Sequence, residues 1–122
     1  MIMYPNSFEK LEVWKEAKKL TIIIYRLTKK FSDEEKFGLC SQLRRASVSI
    51  ASNIAEGSAR KTNKDKAHFT TMAFSSAVEV LNQIIITHEL GFISIEDYTQ
   101  LRKNVESITN KLNALRNYQI NK

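Results

Sequence analysis

A chain of 122 residues, 43% of them hydrophobic, is one domain's worth and can bury a real core. Three glycines and one proline disfavour a loop-rich or all-β chain. A net charge of +6 is compatible with an anionic partner without reaching the density of a histone-like tail. The single cysteine, Cys40, excludes an internal disulfide and fits a reducing cytoplasm, and no apolar run reaches the 18 or so residues of a bilayer span, so no membrane partner is expected.

Start and stop signals divide the chain into four helical segments, expected at about 7–31, 33–60, 63–90 and 95–118. The first is capped by Asn6 with Glu9 three residues on, the second by Ser32 with Glu35, the third by Thr62 or Asn63 with Asp65, and the fourth by Ser94 with Asp97. A cap oxygen followed by a first-turn acid satisfies the orphan amides of a helix start and suits its dipole. Gly91 fits the left-handed position that ends the third segment.

In the first segment the apolar spacing is Val13, Ala17, Leu20, Ile24, Leu27 and Phe31. In the second it is Leu39, Leu43, Ala46 and Ile50, then Asn53 and Gly57, and in the fourth Tyr98, Leu101, Val105, Ile108, Leu112 and Leu115. Alternating steps of three and four make a narrow seam for near-parallel packing. The third segment is apolar nearly all round, which implies burial on more than one side. Short connections between long helices force antiparallel neighbours, so the fold expected is all-α: a single up-down-up-down four-helix bundle over residues 1–122.

The second segment also carries polar residues at seam spacing. Gln42, Arg45, Ser49, Ser52 and Glu56 follow one another at steps of three and four, with Asn53 beside them, and the third segment answers with Ser76, Glu79 and Gln83. Arg45 can pair with Glu79 or Glu56, inside the bundle or at a subunit interface, with Gln42, Ser49, Asn53, Ser76 and Gln83 completing a structural network. The competing reading makes Arg45, Glu56 and Glu79 a ligand or catalytic site. Nothing in the chain supplies a nucleophile, a metal set or a phosphate-cradling glycine loop, so no catalysis is expected. His68 and His88 are 20 residues apart and lack the Glu-x-x-His pairing of a di-iron bundle, so no metal and no cofactor are expected either.

The first segment has two further faces. Residues 8–31 hold seven basic and three acidic residues, net +4. Lys15, Lys19, Arg26, Lys29 and Lys30 are the candidate phosphate contacts, with Arg44, Arg60 and Lys61 as outlying contributors. The plain alternative is a solvated lysine face. Leu11, Trp14, Ile22 and Tyr25 lie away from the seam and are the candidate oligomer interface.

The run Gln42-Leu43-Arg44-Arg45-Ala46, with Ser49-Ile50 and Ser52-Asn53-Ile54-Ala55-Glu56-Gly57, resembles the signature of the four helix bundle protein family. That family includes proteins encoded in intervening sequences of bacterial 23S ribosomal RNA and the accessory variability protein of diversity-generating retroelements. Ala73, Ser76, Glu79 and Gln83 match a second family pattern, in which Ser75 stands where glycine is usual and Val80 where leucine is usual. The resemblance implies a barrel-like homopentamer and, from the retroelement relatives, contact with RNA and a reverse transcriptase or a ribosomal RNA context. The function expected is therefore a non-enzymatic, cytoplasmic homo-oligomer that binds RNA or DNA through basic outer surfaces. The alternative is a protein-interaction scaffold with no nucleic-acid role.

Overall fold

A computed structural model describes residues 8–121, and among these it holds no strand. A 3-10 turn at Phe8–Lys10 leads into α1 (Glu12–Thr28), followed by α2 (Ser41–Ser58), α3 (Asn63–Glu89) and α4 (Ile95–Ile120). The four form an antiparallel up-down-up-down bundle. The α2–α3 and α3–α4 seams are extensive, α1–α2 less so, and α1–α4 is the thinnest.

Two of the four expected caps form as expected. Thr62 Oγ1 accepts from the Asp65 amide at 3.1 Å, and Ser94 Oγ accepts from the Asp97 amide at 3.0 Å. Gly91, at φ 83°, ends α3 with paired bonds from its own amide to His88 O and from Phe92 N to Thr87 O. That pairing is a Schellman motif, which requires the left-handed residue glycine tolerates. It also stacks Phe92 on Phe31, ring centroids 5.6 Å apart, and so closes that end of the core. The Asn6 cap lies outside the described residues.

The α1–α2 corner departs from the expected single helix over 33–60. Asp33–Glu35 is a 3-10 turn and Lys36–Cys40 a π turn, and regular α-helix starts only at Ser41. α1 likewise ends at Thr28, before the expected residue 31, while α4 runs on to Ile120. The wide turn carries Cys40 into the core, where its Sγ lies 3.5 Å from Thr28 O, and leaves Phe37 on the outside, 94% exposed. Arg44 ties the corner together: its Nε donates to Thr28 Oγ1 at 2.9 Å, and its guanidinium stacks over Tyr25 at 4.6 Å.

The core follows the heptad seams. Val13, Ala17, Leu20 and Ile24 of α1 meet Leu43, Ala46, Ile50 and Ile54 of α2, and Leu101, Val105, Ile108 and Leu112 of α4. Each large aliphatic buried here contributes about 1.5–3 kcal/mol. α3 lines the core mostly with smaller residues, Ala73, Ala77, Val80 and Thr87, together with the larger Ile84. By length and mean hydropathy, 1.3 over its best window, α3 could cross a membrane, and a third of that window is buried in the bundle. It is buried on two sides, against α2 and α4, as its composition implies, while Met72, Val78 and Ile86 are exposed. α2 and α3 approach closely at Gly57, where an added Cβ would stand 2.9 Å from Phe69 Cβ. Ser75, the position where the related pattern has glycine, is exposed and makes no such approach.

The thin α1–α4 seam has one polar clamp. Glu16 accepts hydrogen bonds from Lys111 Nζ and from Ser107 Oγ, the latter at 2.7 Å. Burial works to raise the Glu16 carboxyl, but the bonds from Lys111 and Ser107 and the charges of Lys111 and Lys19 outweigh it and hold the group below the ordinary carboxylate value. A depressed folded-state value stabilises the fold above the unfolded value and is lost as pH falls through the folded one. Glu16→Gln is therefore expected to be less stable than the wild type at pH 7 and to converge with it in acid, as pH falls through the depressed folded-state value. Urea melts at both pH values measure this; a gap that stays constant with pH would show that the clamp is not ionic.

Candidate nucleic-acid interface

The outward side of α1 is a basic ridge. Lys15, Lys19, Arg26, Lys29 and Lys30 are all exposed, and Lys18 is exposed among them. On an ideal helix these positions lie within about 120° of arc, opposite the buried Ala17 and Ile24, along roughly 25 Å of axis. Lys18 has its ammonium 5.0 Å from the centre of the Trp14 ring. It fits the arc as well as its neighbours do, and its spacing alone would have found it. Lys15 pairs with Glu12 at 3.6 Å, both side chains largely in solvent, a contact worth about 0–1 kcal/mol that leaves the charge available. Arg26, Lys29 and Lys30 form no ion pair among the described residues.

The outlying basic residues divide. Lys61 is exposed in the α2–α3 connection. Arg60 is exposed with its guanidinium stacked over Phe69 at 4.5 Å, so one of its faces stays free. Arg44 is half-buried and engaged at the α1–α2 corner, which makes it first a structural residue.

The polar stripe is only partly a network inside the bundle. Ser49 Oγ and Ser76 Oγ bridge α2 and α3 at 2.9 Å, and Asn53 Nδ2 donates to Ser49 O at 2.9 Å. Gln83 Nε2 donates to Gln42 Oε1 and to Glu79 Oε1, each at 3.3 Å. Gln83 is 5% exposed, and its Oε1 has no hydrogen-bond partner. Arg45 does not join them. Arg45 and Glu56 are exposed on the outer side of α2, and the expected Arg45–Glu79 and Arg45–Glu56 pairs do not form within the chain. The physical reason is rotational: Ser49 and Asn53 turn toward α3, which leaves Arg45, Ser52 and Glu56 at the outer edge of that face.

The apolar candidates are also split. Leu11 and Trp14 pack against the chain's own core, and Phe8 covers Trp14 edge-on with ring centroids 5.0 Å apart. Ile22 and Tyr25 remain in solvent, at 43% and 38% exposure. Ile22 sits in the middle of the basic ridge. Between α1 and α2 a shallow groove of about 280 Å³ is lined by Phe8, Trp14, Thr21, Val48, Ala51 and Ala55 among others.

The model of the family described as 23S rRNA-intervening sequence protein matches residues 9–114. No curated protein matches the chain. The fold is similar to the crystal structure of a protein of unknown function from the S23 ribosomal protein family of Bacteroides thetaiotaomicron, with a TM-score of 0.78 at 19% identity, covering 85% of this chain and 97% of that one. At that identity the likeness speaks for the fold.

Proposed function

Because the chain belongs to the family of 23S rRNA-intervening sequence proteins, we propose that it is a non-enzymatic homo-oligomer, five-membered by resemblance, that binds RNA or DNA through its basic outer surfaces. The observation that carries this reading is the α1 ridge: six cations, Lys15, Lys18, Lys19 and Arg26 on the helix and Lys29 and Lys30 in the turn that follows it, stand exposed in one run of chain. Such a surface tracks a phosphate backbone and reads no bases. One chain of net +6 binds weakly, and an oligomer multiplies both charge and contacts. Binding of RNA and DNA at 50 and 200 mM salt, with the mass determined in parallel, tests the proposal. Affinity should fall by about tenfold or more across that range. Affinity indifferent to salt would replace this reading with the protein-interaction scaffold, and a 14.1 kDa species at micromolar concentration would remove the oligomer.

The outer edge of α2 and α3 supports self-association. It exposes Arg45, Glu56 and Glu79, charges of both signs, beside the exposed apolar side chains Val48, Met72 and Ile86. Arg45→Ala should therefore leave the helical content and the urea midpoint of the dissociated chain within about 0.5 kcal/mol of wild type, the usual limit for an exposed residue, and lower the oligomer mass. An unchanged mass together with lost RNA binding would make Arg45 a ligand contact instead.

A further inference from the structure

A cavity lies away from the α1 ridge, between the start of α3 and the end of α4. It is an open cleft of about 470 Å³, lined by Lys64 and His68 of α3 and by Arg116 of α4, with Asn63, Thr71 and Gln119 supplying uncharged polar groups. That volume falls within the range of about 300–1,000 Å³ typical of small-ligand sites. Lys64 and His68 are four residues apart and share a face of α3. Arg116 comes from the facing helix, and its Nε donates to Thr71 Oγ1 at 2.8 Å, which holds the guanidinium at the cleft wall. Its two terminal amino groups donate to nothing among the described residues.

The local charge is one-sided. Asp65 is the one acid in the first half of α3, and α4 carries none after Glu106. The Asp65 amide is already taken by Thr62. Arg116 also opposes the negative end of α4, a structural duty that one cation fulfils. On the opposite wall His68 meets the edge of the Phe69 ring, and neither it nor Lys64 forms an ion pair among the described residues. Two facing walls that carry Lys64, His68 and Arg116 and no carboxylate are complementary to an anion with several oxygens. An arginine fork with two free amino groups matches the paired oxygens of a phosphoryl or a carboxylate group.

We propose that this cleft is a phosphate seat, and that its ligand is one phosphodiester of a bound single strand, separate from the contacts of the α1 ridge. The choice of ligand rests on the nucleic-acid reading above; the anion geometry does not. Fluorescein-labelled U12 RNA and T12 DNA, followed by anisotropy at 50 and 150 mM KCl, are the first probes. Inorganic pyrophosphate, followed by chemical shifts of the His68 ring, is the second. Two variants remove the seat: Lys64→Glu with Arg116→Gln, and Lys64→Glu with His68→Gln, the latter leaving the Thr71 bond in place. Lys103→Glu, an exposed charge on the far half of α4, is the control. Both seat variants should keep wild-type helicity, weaken RNA binding about tenfold at 50 mM, and lower the salt slope by about one to two. Lys103→Glu should change neither. Unaltered affinity and slope in both seat variants, with binding lost on charge reversal along α1, would overturn the seat and leave the nucleic-acid reading standing. If the wild type binds neither strand, His68 shifts with pyrophosphate that vanish in Lys64→Glu with Arg116→Gln would support a seat for a free phosphoanion. Absence of those shifts as well would overturn the proposal.

Discussion

Gly57→Leu is expected to leave the bundle unable to fold stably. At Gly57 even a single added carbon would lie 2.9 Å from Phe69 Cβ and 3.5 Å from Lys66 O, so the helix axes of α2 and α3 must separate to admit it. Phe69 cannot simply swing aside, because Arg60 lies over one face of its ring and His68 meets its edge. For Gly57→Ala, overpacking costs about 1–3 kcal/mol and helix propensity returns about 1. The alanine variant should therefore fold with a lower melting point. Leucine adds three more carbons to the same gap, and a cost beyond about 3 kcal/mol is a large part of the 5–15 kcal/mol that holds an ordinary domain together. Urea melts of the two variants measure this. A leucine variant that melts with the wild type would mean that α2 and α3 are not in close apposition at this end.

The second large effect belongs to the ridge. Reversing Arg26 and Lys30 to glutamate takes four units from the net charge, +6 to +2, and places both new carboxylates where a phosphate backbone would run. Each neutralised phosphate contributes close to one unit to the salt slope, and an oligomer repeats the loss in every subunit. RNA affinity at 150 mM salt should fall by about 100-fold or more. Both side chains are exposed and form no ion pair among the described residues, so melting temperature and oligomer mass should be unchanged. Binding that survives the double reversal would relocate the interface away from α1.

The bundle was legible in the sequence wherever a feature repeats. The α4 seam of Leu101, Val105, Ile108 and Leu112 is buried as its spacing demands, because a periodic apolar stripe has only one face to hide. Thr62 and Ser94 cap as expected, since each needs only its own third neighbour. Features set by distant neighbours were not legible. The π turn at Lys36–Cys40 depends on where α1 stops, and no local residue pattern announces it. Trp14 looked like interface because the spacing of α1 cannot reveal that Phe8 folds back over it. Arg45 looked buried because it shares a stripe with Asn53, which is. A stripe read at heptad spacing is wide enough to straddle the boundary between core and solvent, and the sequence does not say on which side each member falls. The candidate site is subject to the same limit. The charges of the α1 ridge could be read from one helix, whereas the Lys64–His68–Arg116 cleft joins residues about 50 positions apart in the chain and exists only once α3 and α4 are packed.

The arrangement on α2 bears on how freely this chain can drift. Leu43, Ile50 and Ile54 commit one side of the helix to the core, Arg44 and Ser47 commit a second to α1, and Ser49 and Asn53 commit a third to α3. If Arg45, Ser52 and Glu56 answer to another subunit, almost no circumference remains on which a substitution is silent. The outer side of α4, where the side chains of Lys103, Asn110, Asn113 and Asn117 stand in solvent with no hydrogen bond or ion pair among the described residues, has no comparable obligation. Descendants of this chain should differ first along α4 and last along α2, so that two bundles with little else in common would still be recognisable as kin from one helix.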